Sequence, residues 1–248
     1  MMKAWYSMEK LWDLFCKFCL IVMILIFLNS MVGDFFFRAK YSFPTPVKAN
    51  VADINTLNEP IQNNLYNQKY IKAYGEKNKY ALEPMAEYSI SGLVVAKNSN
   101  FWFRDIMRNE FDDIALIDFG MVWGELAADR NSLYKYIKFK SKKTLGQART
   151  LYYHWEYGSP WTDSYITSHT SHTHMIPANS NIMGGLLQVK KNNVVKIDGY
   201  LVDIYNGKGK TIAKTSLSRQ DKNATSRGYG ACEVMYVKSV QIGDKIYK

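Results

Sequence analysis

Cysteine is scarce in this chain, with three in 248 residues. Cys16 and Cys19 lie at the edge of an apolar run, and Cys232 lies near the C-terminus. If the larger part is exported, Cys232 has no partner in its own compartment. A disulfide framework is then excluded, and stability must come from packing. The Cys16-x-x-Cys19 spacing has no βαβ context, so both are read as small apolar residues on a membrane helix. Catalytic signatures are also missing. There is no Gly-x-Ser-x-Gly nucleophile elbow and no placed histidine base. Gly209-Lys210-Thr211 ends like a phosphate-binding loop, but the glycine required five residues earlier is Ile204. No internal repeat is present. Acid is short relative to base: 22 Asp and Glu against 32 Lys and Arg, for a net charge of +10.

What the chain does have is apolar and aromatic residues, at 47% and 15%. That is enough for a real core and argues against global disorder. The length suits one membrane segment plus one globular domain.

"FCLIVMILIFLNSMVGDFFF", Phe18 to Phe37, is twenty residues long and holds thirteen Leu, Ile, Val and Phe. Twenty helical residues span a hydrocarbon core of about 30 Å. At roughly −0.3 to −0.6 kcal/mol each, the thirteen outweigh Asp34, which costs at most about 3 kcal/mol and lies near the segment end. No small-x-small cleavage site lies beyond it, so an uncleaved anchor is expected. Lys3, Lys10 and Lys17 on one side face Arg38, Lys40 and Lys48 on the other, so the positive-inside count is tied. The N-terminus is placed inside, because a short tail before a single helix and a large domain after it is a common arrangement. Within residues 1–33 three lysines meet Glu9 and Asp13, leaving +1, so the remaining +9 belongs to residues 34–248. A domain so basic favours anionic neighbours: lipid headgroups, cell-wall polymers or nucleic acid.

Residues 39–84 contain Pro44, Pro46 and Pro60 with many asparagines, and read as a membrane-proximal stalk with one short helix near Ile61 to Ala73. From residue 85 the texture becomes β-rich. Strands are expected within Glu87–Lys97, Ile114–Gly124, Leu133–Lys140, Ala148–Gly158, Asn193–Asn206 and Ala231–Ile242. Gly92, Gly120 and Gly199 suggest bulges or bends. A short helix is expected in Asn179–Lys191, capped by Asn179 or Ser180. The chain therefore divides into 1–38, tail and transmembrane anchor; 39–84, stalk; and 85–248, a mainly β domain. That domain is expected to be a small barrel or sandwich, OB-like or SH3-like, with one or two short helices.

Three clusters could carry chemistry. "SHTSHTHMIPAN" puts three of the four histidines within six residues. On a strand His172 and His174 share a face and His169 points away. His154 and Glu156 of "YYHWEYG" also share a face, which gives a four-ligand zinc set of His154, Glu156, His172 and His174. The competing reading is a polar loop leading into a strand. In "LYKYIKFKSKK", strand alternation puts Tyr134, Tyr136, Lys138 and Lys140 on one face, with Lys142 and Lys143 beyond. Such a face could stack bases and pair phosphates, lie near an anionic membrane, or simply be solvated. Finally Ser216, Ser218, Arg219, Asp221 and Glu233 crowd one stretch, either as a site or as a loop braced by its own Arg and Asp.

"YSISGLVV", "IPANSNI", "VVKIDGYLVDI" and "TSLSRQD…GACEVMYV" resemble a family of uncharacterised bacterial envelope proteins. These have a hydrophobic N-terminus and a compact β-rich domain. The resemblance covers Tyr88 to Lys248. It implies bacterial origin and an envelope location, and it brings no activity and no catalytic residue. The expectation is thus a single-pass protein of the bacterial inner membrane, anchored by residues 18–37, with its basic C-terminal domain extracytoplasmic. It would be a binding or assembly component with protein partners, rather than an enzyme. Two alternatives stay open: a metal-dependent enzyme using His154, His172 and His174, and a binder of nucleic acid or another polyanion.

Overall fold

In a computed structural model of the chain, residues 2–48, 54–75, 77–99, 109–143, 149–218 and 232–248 are described; side chains at 2–9 and 142–143 are not. Strand exceeds helix, 42% to 30%, so the molecule is mostly β despite its long first helix.

That helix, α1, runs Met2–Lys40. Its stretch Lys10–Lys40 has a mean hydropathy of 2.4 in its apolar window, none of which is buried in the fold. Among the described residues it is the one helix long and apolar enough to cross a membrane. Asp34, the acid inside the apolar run, pairs with Arg38 one turn later at 2.9 Å.

The rest builds one ten-stranded mixed sheet and a separate hairpin. In chain order the elements are β1 (Val47–Lys48), β2 (Ile61–Asn64), β3 (Ile71–Tyr74), β4 (Lys79–Asn98), α2 (Glu110–Ile114), β5 (Ile117–Val122), α3 (Glu125–Ala128), α4 (Arg130–Tyr136), β6 (Ile137–Lys143) and β7 (Arg149–Trp155). They continue with α5 (Asp163–Ser168), β8 (Thr170–Pro177), α6 (Ser180–Gln188), β9 (Val194–Asn206), β10 (Thr211–Ala213), β11 (Glu233–Ile242) and β12 (Lys245–Tyr247).

Five of these strands pair in a cycle: β4 with β5, β5 with β8, β8 with β11, β11 with β9, and β9 back to β4. All these pairings are antiparallel except β8 with β11. Register shifts at Pro84/Ala86 and Val94/Ala96 in β4, and at Val237/Ser239 in β11, interrupt the ladders. An extra residue on one strand bends it, and such bends let pairing run around a cycle. Gly199 sits beside the β11 shift. A Cβ there would meet the Tyr236 carbonyl oxygen, so only glycine lets the two backbones approach.

Two expectations differ from the structure. The described residues of 39–84 are not a free stalk. β1 pairs with β12, while β2 and β3 both pair with β4, and no helix forms at Ile61–Ala73. Of the asparagines in this stretch, Asn63 and Asn64 lie on β2, where both face water. Leu133–Lys140 is not one strand either. Asp129 caps α4 by accepting from the Ser132 N–H, so the chain is helical to Tyr136 and extended only from Ile137. The helix expected after Asn179 is α6, and Asn179 caps it through the Ile182 N–H.

The main apolar core lies against α6 and one sheet face, built from residues such as Ile90, Phe119, Met175, Ile182, Leu186, Leu201 and Val240. A second cluster contains Leu82, Ile114, Ile176, Ile204 and Val234, and a third packs the β6–β7 hairpin through Leu93, Leu133 and Ile137.

Candidate functional site

Strand β8 reads Thr-Ser-His-Thr-His and is buried over seven of its eight residues. Polar residues on a wholly buried strand need partners. His172 and His174 project to the same side, two residues apart, with ring centroids 4.7 Å from each other. They are 2% and 4% exposed.

The neighbouring strands supply what surrounds them. On β5, Asp118 lies directly across from His174 and Gly120 across from His172. Asp118 Oδ1 accepts from His174 Nδ1 at 2.7 Å. A carboxylate acceptor fixes the proton on Nδ1 and leaves Nε2 as the free ligand atom. On β11, Glu233 is in register with Thr173, so Cys232 follows beside His172. Its Sγ is 3.2 Å from His172 Nδ1. Among the described residues, His172, His174 and Cys232 form a group of three potential ligands. Their donor atoms all lie within 4.8 Å of one another.

A further layer holds these groups. Arg149, at the start of β7, reaches Asp118 Oδ2 with its Nε at 2.9 Å and lies 3.7 Å from Asp112. Its other end donates to the Ala115 carbonyl. Phe111 closes over the cluster, edge-on to His174 at 4.9 Å and beneath the Arg149 guanidinium. Phe111 and Asp112 are delivered by α2, whose start is fixed by a reciprocal capping box between Asn109 and Asp112. Glycine at 120 leaves room for Leu151, whose Cδ atoms would sit 2.8 and 2.9 Å from a Cβ there.

Cys232 and the start of β11 are clamped as well. The Ser216 N–H donates to the Cys232 carbonyl. Buried Asp203 accepts from the Thr215 N–H, and Thr215 Oγ1 accepts from the Val234 N–H, both at 3.0 Å.

The electrostatics are asymmetric. Burial raises the Asp118 pKa, but the Arg149 charge and the hydrogen bond from His174 outweigh it, so the carboxyl sits below its ordinary range. Burial pushes His172 down to about 3. The nearby His174 adds to this, and the Asp118 charge opposes it only in part. His172 is therefore a neutral imidazole across physiological pH. Two imidazoles and a thiol so arranged can ligate a metal or share a proton.

Of the four ligands expected from sequence, the structure brings together His172 and His174. His154 lies exposed on β7 opposite Lys138, outside the group of three. Glu156 is 2.7 Å from Lys138, whose hydrogen bond and charge hold its pKa below the usual carboxylate range. His169 ends α5 and stacks on Tyr165 at 3.8 Å.

The basic-aromatic residues do not share a strand face. Tyr134 and Tyr136 are helical, and Tyr134 donates to the Asn192 side chain. Lys138 and Lys140 lie on β6. Lys142 and Lys143 are on the same strand, paired with Thr150 and Arg149. In the polar stretch, Ser216 is fully buried and its Oγ accepts from the Ser218 N–H. Glu233 is buried at the start of β11. Arg219 and Asp221 lie outside the described residues.

Sequence reasoning missed Cys232, Asp118 and Arg149. Asp118, an acid inside the apolar run "IALIDFGMV", was a readable signal. Cys232 gave none, since only the parallel pairing of β8 with β11 puts it beside His172.

No family model, no curated protein and no solved structure matches the chain.

Proposed function

We propose that this chain is a single-pass, membrane-anchored protein of the bacterial envelope. Its basic β-rich domain acts as a non-catalytic binding or assembly component of an envelope complex. The observation that carries this reading is the division of α1. Its apolar window lies wholly outside the fold, yet its last turns are built into it. Phe37 is 7% exposed and belongs to the main core, and its ring lies 5.1 Å from that of Tyr41. Tyr41 and Pro44 pack on Gly184 of α6, and the Asn181 side chain exchanges hydrogen bonds with the Thr45 backbone. A helix with no protein covering its apolar surface needs lipid. The docked end would hold the domain rigidly at the bilayer, with the N-terminus inside. A fixed platform suits assembly better than capture of distant ligands. The cycle of strand pairing supports reading the domain as a small barrel, with an OB-like or SH3-like arrangement as the finer proposal.

Purification of the full chain from its own membranes in mild detergent tests this. Stoichiometric co-purification of other envelope proteins is expected, and recovery as a lone monomer would contradict it.

A further inference from the structure

We infer that His172, His174 and Cys232 form a mononuclear site for a thiophilic divalent metal ion of the zinc class, with one coordination position left open.

The spacing fits. A tetrahedral ion with Zn–S of about 2.3 Å and Zn–N of about 2.0–2.1 Å holds its sulfur and nitrogen ligands about 3.5 Å apart. Cys232 Sγ and His172 Nδ1 are 3.2 Å apart, and the whole group falls within 4.8 Å. Closing on an ion therefore asks only side-chain adjustments of a few tenths of an ångström at this pair.

The surroundings fit as well. Ligating histidines usually place their outer ring N–H on a carboxylate, which orients the ring and raises its basicity. His174 does so on Asp118, and Arg149 holds Asp118 from the other side. This support is built from β5, β7 and α2 together. The two imidazoles are buried while Cys232 is half-buried, so the thiol marks the side from which an ion can enter.

The competing chemistry is a thiol–imidazole dyad, in which the Cys232 proton moves to His172. A dyad would need its orienting carboxylate on the ring that takes the proton, whereas Asp118 is engaged by His174 and Arg149. A metal ion instead uses both imidazoles in the arrangement they have. On binding, the Cys232 S–H bond breaks, its proton leaves to solvent, and an S–metal bond forms. His172 and His174 each donate a nitrogen lone pair, and nothing is oxidised or reduced. Three protein ligands with a fourth place for water is the ligand count of open zinc sites. One thiolate with two imidazoles favours zinc over magnesium or calcium.

The test uses the full-length chain in detergent, reduced, with Cys16 and Cys19 changed to Ser so that Cys232 is the sole thiol. Cobalt(II) is the spectroscopic probe and zinc the competitor. One equivalent of cobalt is expected, with ligand-field bands of tetrahedral intensity and a sulfur-to-cobalt charge-transfer band, both displaced by zinc. Cys232→Ser should abolish the charge-transfer band. His172→Gln and His174→Gln should each weaken binding at least tenfold. Asp118→Asn, which removes only the orienting carboxylate, should weaken it about 10- to 100-fold while keeping the band. His154→Gln should change nothing. Far-UV circular dichroism of each metal-free variant identifies any that does not fold. The unmutated site supplies the second measurement, since one equivalent of zinc should slow alkylation of Cys232. No cobalt binding, binding indifferent to Cys232→Ser, or unchanged alkylation with zinc would each overturn the assignment. These results are independent of membrane anchoring and of co-purification.

Discussion

At the scale of single residues, burial obliges each polar group to find partners, and the cost of removing them is predictable. Asp113 is 2% exposed. It accepts from the backbone N–H groups of Lys77 and Asn78, from the Asn78 side chain and from the Tyr80 hydroxyl. Burial first, then the charge of Asp113, pushes the Tyr80 hydroxyl above its ordinary range. Asp113→Ala should leave several of these donors without acceptors. At about 1–3 kcal/mol for each buried group left unsatisfied, the thermal midpoint should fall by many degrees. A midpoint like that of the parent would contradict this role. Gly199→Ala tests the close backbone approach beside β11. Its methyl would meet a carbonyl oxygen rather than a movable side chain, so a loss of about 1–3 kcal/mol is expected by denaturant titration. An unchanged denaturation midpoint would show that the strands can part freely there.

At the scale of elements, α6 shows how a half-buried cation can serve a helix end. Asn179 caps its start. At its other end Lys97, from β4, donates to the carbonyls of Leu186, Leu187 and Val189 at 3.0, 2.8 and 2.7 Å. A cation suits the carbonyl end of a helix. Burial, then the charge of Arg38, nevertheless brings its pKa down to about 8. The unfolded value is about 10.4. Between these values the unfolded chain binds a proton that the folded chain lacks, so this group's contribution to stability rises with pH from about 8 to about 10.4 and is flat below. Stability curves of the parent and Lys97→Met should therefore diverge over that window, with the parent gaining. Parallel curves would mean that Lys97 titrates as an ordinary lysine.

The legibility of these elements in sequence follows their locality. α6 was readable because its signal, an Asn cap before an apolar run, is contained in ten residues. The strands β4, β5, β7, β9 and β11 were readable from β-branched and aromatic runs. α4 was mistaken for strand because "LYKYIKFK" has strand composition throughout, and the deciding feature, Asp129, lies just upstream. β2 and β3 were missed because each is only four residues long and takes its pairing from long β4. The same limit governed the site. Two of its three proposed ligands lie on one strand and could be paired by counting residues. Asp118 was marked locally, as an acid inside an apolar run, but the third ligand and Arg149 depend on which strands become neighbours, and local pattern does not encode that.

At the scale of the whole molecule, the account rests on α1 having two environments. From Leu11 to Phe36 most large apolar side chains face outward, with Phe35 and Phe36 69% and 66% exposed, while Phe37 is in the core. Phe37→Ala should therefore destabilise the domain by about 3–5 kcal/mol at most, less where the site can collapse, without releasing the chain from membranes. Release on this substitution would mean that Phe37 belongs to the anchor rather than to the domain. The most direct measurement is alkaline carbonate extraction of membranes carrying the full-length chain. The account predicts that the intact chain stays in the membrane pellet and enters solution only with detergent; finding it intact in the aqueous supernatant would contradict it.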